Sequence, residues 1–497
     1  MVAHLPVLTI MIPLFAGLFM PLLGRLNRAI VWPLAVGALG FATFGSIHML
    51  VDVATTGEAI HYSFGGWALP TGIGYRVDLL NGMVLAMIAG AGLLTSIWML
   101  RPAQKEIPDE GRTSYYAVFL LCCAGFLGIT ITADIFNLYV FLEIASITSY
   151  VLIAMGGRRQ ALYAGYSYLI VGSIGATFIL LGIGHLYMRT GSLGMADILS
   201  QFQADTSLYT LSDVRTAFAF FTVGLAIKMA LFPLHGWQPS AYTYAPSPSS
   251  LFIASTSTKV SAYAFYRICF GVFGLAFLTD GLPEIRQIVL VMSSAAIVLG
   301  PLIAIRQGDL KRLLAYSSVG QIGYIMLGVV LLNVDGLTGG IIHFWNHAAA
   351  KGSLFCVAGA LVFRTGSSRV SDLAGMGRRA PWTSAVLTVA GCSMVGVPMT
   401  AGFLSKWYLA AGALEADYVF VVPVLIASSV CTAIYVWRVL QLVWFAPKDV
   451  EPAVTSEVPW SMRIPALALG AACLVFGLTP WSVDLARSAA VALGVGS

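Results

Sequence analysis

The chain has 497 residues, of which 58% are hydrophobic and only 10% are charged, and its mean hydropathy is +0.86. A soluble globular protein usually carries about 25% charged residues, so this composition excludes a soluble domain and indicates an integral membrane protein. The net charge of +5 is spread over small basic clusters between apolar runs. Such clusters orient a membrane protein, so no nucleic-acid partner is predicted.

Fourteen apolar segments follow one another along the chain, and each is close to the roughly 20 residues that a helix needs to cross a bilayer. The segments are too long and too uniformly apolar for barrel strands, so the sequence predicts an all-α polytopic membrane protein. A polar, glycine-rich stretch between spans two and three is predicted to form a short hairpin. The predicted spans are residues 5–23, 30–51, 77–99, 115–131, 134–155, 163–187, 214–240, 249–272, 285–305, 313–333, 338–363, 383–410, 418–443 and 462–482.

Basic residues follow the odd-numbered spans, as Arg25, Arg158 and Arg306 do. Because Lys and Arg are retained on the cytoplasmic side, the odd spans are predicted to end in the cytoplasm. Both termini are then predicted to lie on the outer side of a bacterial or archaeal cell membrane. Arg215 and Arg267 are exceptions to this pattern.

Charged residues also occur inside four of the predicted spans, at Glu143, Lys228, Lys259 and Lys406. Each such group costs about 2.5–3.5 kcal/mol at the centre of a membrane helix. A chain that carries several of them is predicted to conduct protons or cations. Glu143 and Lys228 are expected to pair, because each stabilises the charged form of the other; a static structural ion pair is the alternative.

His343, His347 and Lys351 are spaced by four residues in span eleven. At about 100° per residue they share one face of a helix, which suits a chain of proton acceptors. Two histidines at this spacing can also bind zinc, but neither an HExxH motif nor a third clustered ligand appears. No metal is therefore predicted.

Two spans contain both a proline and a lysine. Lys228 precedes Pro233 in span seven, and Lys406 follows Pro398 in span twelve. A proline interrupts a helix and frees backbone carbonyls, and paired interrupted helices in two halves of a transporter indicate a transport site between inverted repeats.

Two further residues are secondary candidates. His235, two residues after Pro233, is either a gate between Lys228 and Lys259 or a histidine that satisfies the helix break. Asp134, at the start of span five, is expected to cap that helix, because a carboxylate is favoured at a helix N-terminus.

Four ordered segments carry a family resemblance: residues 225–259, 308–328, 343–355 and 396–407. They are similar to the antiporter-like subunits shared by Mrp-type cation/proton antiporters, respiratory complex I and membrane-bound hydrogenases. The resemblance implies fourteen helices, two inverted five-helix repeats, and broken helices seven and twelve around a hydrophilic axis. The implied units are residues 1–112 (helices one to three), 113–272 (first repeat), 273–443 (second repeat) and 444–497 (helix fourteen).

The resemblance also implies roles for individual residues. Glu143, Lys228 and Lys259 match the family's glutamate, its partner lysine and its bridging lysine, and Lys406 matches the lysine of the second broken helix. His343, His347 and Lys351 match the relay between the halves. The sequence departs from the family pattern at Gln238, Ser240 and Tyr242, which removes a carboxylate and a histidine from that loop.

The predicted function is that of a proton-translocating subunit of a multi-subunit Mrp-type Na⁺/H⁺ antiporter. The alternative is a proton-pumping membrane subunit of a complex I-like NADH:quinone oxidoreductase or a membrane-bound hydrogenase. The expected partners are other membrane subunits, the bilayer, protons and monovalent cations. No Rossmann motif or cysteine quartet appears, so no cofactor is predicted, and the chain is expected to be a transporter subunit rather than an enzyme.

Overall fold

The computed structural model describes residues 4–67 and 72–495, and most of them are helical. The helices are α1 (Leu5–Leu26), α2 (Val31–Thr56), α3 (Leu79–Trp98), α4 (Leu100–Glu106), α5 (Asp109–Ile131), α6 (Ile135–Ala154), α7 (Arg159–Thr190), α8 (Met195–Ala204), α9 (Ser212–Lys228), α10 (Gln238–Tyr244), α11 (Ser247–Ile268), α12 (Pro283–Ile305), α13 (Leu310–Leu331), α14 (Val334–Thr365), α15 (Met376–Arg379), α16 (Pro381–Val395), α17 (Ala401–Glu415), α18 (Val421–Phe445), α19 (Trp460–Leu478) and α20 (Trp481–Ala492). Strands β1 (Ile60–Ser63) and β2 (Gly74–Val77) pair antiparallel.

The helices account for the fourteen predicted membrane crossings. Among the described residues, eleven helices are long and apolar enough to span a membrane. α11 has the length of a span, 22 residues, but it is rich in Ser and Thr. Two further crossings are interrupted, since α9 and α10 divide span seven and α16 and α17 divide span twelve. The predicted all-α polytopic fold is confirmed.

Two parts of the chain repeat the same local structure with an offset of 175 residues, from Arg159 to Val334. α7 and α14, which begin at these residues, both have 32 residues. Before them, Asp134 caps α6 and Asp309 caps α13 in the same way, each through the backbone amide three residues later. An odd number of spans, five, separates equivalent positions, so the two repeats have opposite orientations in the membrane.

The breaks in the two interrupted helices differ in length but share one feature of backbone geometry. The first break follows Lys228 and the second follows Val395. Each contains a non-glycine residue in the left-handed region, Ala230 at φ 58° and Met399 at φ 74°. Such conformations cost on the order of 1–3 kcal/mol and are found mainly where the surrounding structure holds them in place. The predicted breaks in helices seven and twelve are confirmed.

The sequence predicted some of the elements between the spans and missed others. The hairpin β1–β2 lies where the polar stretch after span two predicted it. The short helices α8 and α20 were not predicted as separate elements. α8 lies in a polar connection without the length of a span, and α20 follows Thr479 and Pro480, which separate it from α19.

Close backbone contact between α12 and α13 generates a stability prediction. A Cβ atom added at Gly300 would lie 2.5 Å from the backbone nitrogen of Gly320, whereas one added at Gly90 meets no atom within 4 Å. Gly300→Ala is expected to lower the free energy of unfolding by about 1–3 kcal/mol, the usual cost of overpacking. Gly90→Ala is the matched control and should leave stability unchanged or slightly raised, because alanine favours helix. Thermal unfolding of the purified protein in detergent measures both; equal melting temperatures would contradict the prediction.

Candidate functional site

The first charged cluster joins α6 to the end of α9. Lys228 Nζ lies 3.2 Å from Glu143 Oε1, and it also donates to Ser146 Oγ at 2.7 Å and lies 3.5 Å from the Tyr150 hydroxyl. The three partners share one face of α6 because they are spaced by three and four residues. The Lys228 side chain is 3% exposed and that of Glu143 is 27% exposed. The structure therefore brings the predicted pair together, with the acid on the more open side.

The second cluster surrounds Lys406 at the other broken helix. Lys406 Nζ donates to the carbonyls of Met394 at 3.1 Å and Val395 at 2.8 Å, and to Ser429 Oγ at 3.0 Å. It also lies 5.1 Å from the centroid of the Tyr324 ring. No carboxylate pairs with Lys406 among the described residues.

Both clusters use the same physical feature, the carboxyl end of a half-helix. Lys228 is the last residue of α9, and Lys406 bonds the last carbonyls of α16. The Met394 and Val395 carbonyls lack helical partners, and the helix dipole places partial negative charge there. At the end of α9 the Ile227 carbonyl instead accepts from the Ala230 amide and the Trp237 indole. Gly396, at φ 87°, leaves room for Lys406, since a Cβ atom there would lie 3.0 Å from Lys406 Cδ.

His343 connects α14 to helices on either side of it. Its Nε2 lies 2.9 Å from Gln321 Oε1 on α13, and its Nδ1 lies 2.8 Å from Ser405 Oγ on α17. Ser405 directly precedes Lys406, and Lys406 lies within electrostatic reach of the imidazole. The histidine is therefore placed beside the second broken helix.

His343 forms a stripe with His347 and Lys351 on one face of α14, and the rest of this stripe lies against α11. His347 stacks on His343 with ring centroids 6.2 Å apart, and among the described residues neither of its ring nitrogens has a hydrogen-bond partner. Lys351 Nζ donates to the Leu314 carbonyl at 2.8 Å and to Ser317 Oγ. Lys259 donates to the carbonyl five residues before it and lies within electrostatic reach of both histidines and of Lys351. The structure thus places four buried residues, Lys259, His343, His347 and Lys351, in one group, with the partly buried Lys406 at its edge.

An aromatic cluster lies between the Glu143–Lys228 pair and α11. Tyr150 packs edge-on against Tyr168, and Tyr168 stacks on Trp237 with ring centroids 3.7 Å apart. Trp237 donates to the carbonyl of Ile227, beside Lys228. Among the described residues, Lys228 and Lys259 form no hydrogen bond with each other.

The two secondary candidates have different surroundings. His235 lies in the first break, where its ring stacks on Phe232 at 5.3 Å between centroids, and it forms no hydrogen bond with Lys228 or Lys259 in the described structure. Asp134 lies at the N-cap of α6, where its Oδ1 accepts a hydrogen bond from the Asn137 amide at 2.6 Å. This geometry is the capping arrangement predicted for it.

The sequence analysis did not name the neutral partners of the charged groups. These are Ser146, Tyr150, Ser317, Gln321, Ser405 and Ser429. Helical spacing could have indicated Ser146 and Tyr150, because both follow Glu143 on one face. The others come from different helices, and only the tertiary packing brings them to their lysine or histidine.

A bundle of membrane helices with two breaks and a line of buried lysines and histidines defines a membrane subunit of an ion-translocating assembly. The chain belongs to the NADH:quinone oxidoreductase/Mrp antiporter transmembrane family, whose model matches residues 132–432. This match extends from before α6 into α18, so it includes every candidate residue named above.

The curated relatives cover nearly the full chain. The chain is 42% identical to "NADH-quinone oxidoreductase subunit N" of Desulforudis audaxviator, over 96% of each protein. It is 28% identical to a Na⁺/H⁺ antiporter subunit of Alkalihalophilus pseudofirmus, over 95% of this chain and 94% of the relative. The relatives therefore include both branches that the sequence analysis left open.

Two solved structures superpose on nearly the whole chain. A subunit of an archaeal membrane-bound sulfane sulfur reductase superposes with a TM-score of 0.89 at 30% identity, covering 99% of this chain and 98% of that one. A subunit of the Mrp complex of Dietzia sp. superposes with a TM-score of 0.88 at 24% identity, over 99% and 97%. This second likeness shows the shared fold. Both structures are multi-subunit assemblies, so the predicted partnership with other membrane subunits is confirmed.

The geometry of the first cluster predicts that Glu143 and Lys228 act as a pair. Glu143→Gln and Lys228→Met are each expected to reduce proton transport to background, because either change leaves no acid–base pair to exchange charge. Membrane vesicles that contain the assembled complex, with a pH-sensitive dye, measure the rate. Asp134→Asn is the control, since it alters a capping carboxylate at the start of the same helix. Normal transport by either pair variant would contradict the prediction.

Substitutions of His343 and His347 are expected to affect transport and stability differently. His343→Ala removes hydrogen bonds to both Gln321 and Ser405, so we expect it to lower both transport and stability. His347→Ala breaks no hydrogen bond to another described residue, so it is expected to slow transport with a smaller loss of stability. Transport rates and melting temperatures of the single and double variants separate the two effects. An unchanged transport rate in the double variant would show that these histidines have only a structural role.

Proposed function

We propose that this chain is the proton-carrying subunit of a multi-subunit membrane complex, and that protons move along Glu143, Lys228, Lys259, the His343/His347/Lys351 stripe and Lys406. The observation that carries the proposal is the succession of titratable groups from α11 through α14 to α17. Lys259 lies within electrostatic reach of His347 and Lys351, His347 stacks on His343, and His343 bonds Ser405 beside Lys406. Among the described residues, their hydrogen-bond partners are carbonyls, hydroxyls and one amide rather than carboxylates.

This set of neutral partners favours exchange of a proton over fixed charge. A buried ammonium without a counter-ion is costly in its charged form. Lysine can lose its proton in such surroundings, whereas arginine stays charged. Because Lys259 and Lys351 lie within electrostatic reach of each other, a proton on one disfavours a proton on the other. Charge is then passed along the group.

The Glu143–Lys228 pair supplies a step that the second half lacks. With the carboxylate 3.2 Å away, the ammonium of Lys228 is stabilised. Protonation of Glu143, or its movement away from the lysine, removes that stabilisation and favours release of the lysine proton. The aromatic cluster of Tyr150, Tyr168 and Trp237 then separates this loading step from Lys259, so transfer between them requires motion of side chains or entry of water.

Two host complexes have support. The Mrp-type Na⁺/H⁺ antiporter was predicted from the sequence, and the 28% identity to a Na⁺/H⁺ antiporter subunit is consistent with it. A redox-driven complex is favoured by the 42% identity to a quinone oxidoreductase subunit and by the 30% identity to the sulfane sulfur reductase subunit. In either host the proposed role of this chain is the same.

Reconstitution of the purified native complex separates the two hosts. A Na⁺ gradient alone should drive proton movement if the host is an antiporter, and an electron donor with its acceptor should drive it if the host is redox-linked. Loss of the response in Glu143→Gln assigns the movement to this subunit. Proton transport by a complex that lacks this chain would contradict the proposal.

Three substitutions at Lys406 test whether it carries a proton. The family resemblance implies that glutamate occupies this position in some branches, so Lys406→Glu should retain activity with its optimum moved to lower pH, because a carboxylic acid releases its proton at lower pH than an ammonium. Lys406→Leu should lose activity, because leucine cannot hold a proton.

Lys406→Arg is the sharper variant, because it keeps the positive charge but hardly deprotonates. We expect it to be inactive although it can still bond the Met394 and Val395 carbonyls. Transport rates across pH for the three variants provide the measurement. Full activity of the arginine variant would show that Lys406 is a fixed counter-charge.

A further inference from the structure

An arginine that the proposed axis does not use is buried at the C-terminal end of α11. Arg267 donates to both carboxylate oxygens of Asp78, at 2.8 Å and 3.0 Å, and its Nε donates to the Tyr263 hydroxyl at 3.0 Å. Asp78 also caps α3 through the Asn81 amide. The ion pair therefore ties α11 to α3 on the side of the bundle that carries the β1–β2 hairpin.

A cavity reaches this ion pair from the hairpin side. It has a volume of about 460 Å³, and Arg76, Asp78 and Arg267 are among its lining residues. Arg76 Nε lies 3.7 Å from Asp78, so two guanidiniums share one carboxylate. The end of the cavity at this ion pair is consequently positive.

The distance from this cavity to the proposed axis is short. Lys259, Tyr263 and Arg267 are spaced by four residues on one face of α11, so each step rises about 6 Å along the helix and the whole stripe about 12 Å. A membrane protein that moves protons by way of Lys259 needs a barrier here, because a conducting path over this distance would short-circuit the transport.

The polar groups beyond Lys259 on α11 are arranged so that none can pass a proton onward. Tyr263 donates to the Thr130 carbonyl at 2.8 Å, Tyr266 to the Ile325 carbonyl at 2.7 Å, and Ser261 to the Ser257 carbonyl at 3.2 Å. An amide carbonyl accepts a hydrogen bond but has no proton to give. The basic group that follows on this helix, Arg267, stays charged.

We infer that Arg267, positioned by Asp78, is an electrostatic seal that prevents protons at Lys259 from leaving toward the hairpin side. The inference rests on the proposed function, since it assumes that Lys259 carries protons. A fixed guanidinium at a constriction repels hydronium and cations, as arginines do in other selective pores. Because this route is closed, the remaining route for a proton at Lys259 leads across to His347 and Lys351 on α14.

The test is a passive proton leak. The complete complex is reconstituted in liposomes with a pH-sensitive dye, and a K⁺ diffusion potential is imposed without an electron donor or a Na⁺ gradient. The paired change Arg267→Gln with Asp78→Asn removes both charges and leaves no buried unpaired carboxylate from this ion pair. It is expected to raise proton influx severalfold over the unmodified complex.

The leak should depend on Lys259. Adding Lys259→Met to the paired change is expected to return influx to the unmodified level, because the leaking protons pass through that residue. Arg286→Gln is the matched control: Arg286 lies near the same end of the bundle, on α12, and donates to the Val330 carbonyl at 2.8 Å, away from the α11 stripe. It should not leak.

Arg267→Lys provides a second, milder variant if the paired change does not assemble. It keeps the charge but can deprotonate, so influx should rise with increasing pH. Unmodified influx in every assembled Arg267 variant, or a leak that Lys259→Met does not reverse, overturns the seal. Failure of the proposed function has a different signature: Lys259→Met alone would then leave driven proton transport intact.

Discussion

The polar groups buried at the two helix breaks, the lysines and the last carbonyls of the half-helices, are the constraint on which the rest of the site depends. Within hydrocarbon no bulk water is present to satisfy them, so protein groups must do so. Lys228 ends the first half-helix, and Lys406 donates to the last carbonyls of the second. At the first break the Ile227 carbonyl accepts a hydrogen bond from Trp237, and the Lys228 ammonium binds partners on α6. At the second break the Lys406 ammonium itself lies at the negative end of a helix dipole, which offsets part of its burial cost. The second break thereby creates a position where a partly buried lysine is held by neutral acceptors.

The two repeats share this feature but have diverged around it. In the first, a carboxylate lies 3.2 Å from the lysine; in the second, the described partners of the lysine are carbonyl and hydroxyl acceptors. The 175-residue offset between Arg159 and Val334 also aligns Tyr168 with His343, so an aromatic hydroxyl in one half corresponds to an imidazole in the other. This asymmetry gives the halves different chemistry. The first half has an acid–base pair, and the second has an imidazole beside a lysine that has no carboxylate partner among the described residues.

Much of the fold could be predicted because hydrocarbon imposes simple rules. Spans are about 20 apolar residues long, so the crossings could be counted, and Pro233 and Pro398 indicated which helices break. The short helices α8 and α20 were not predicted, because neither length nor polarity distinguishes such helices from loops. The Glu143–Lys228 pair was predictable from the cost of burying either charge alone. For His235 the sequence left two alternatives, a gate or a structural histidine at the break, and the structure stacks its ring on Phe232.

The sequence by itself determined that this is a polytopic membrane protein with titratable groups at membrane depth and two interrupted helices, because composition, span length and proline position are properties of local segments. Tertiary structure decided which groups meet. Gln321 and Ser405 reach His343 from two other helices, and an aromatic cluster lies beside Lys228. Asp78 pairs with an arginine 189 residues away. Such contacts depend on how helices distant in the chain pack and turn their faces. Local periodicity specifies the face of a helix but not its neighbour.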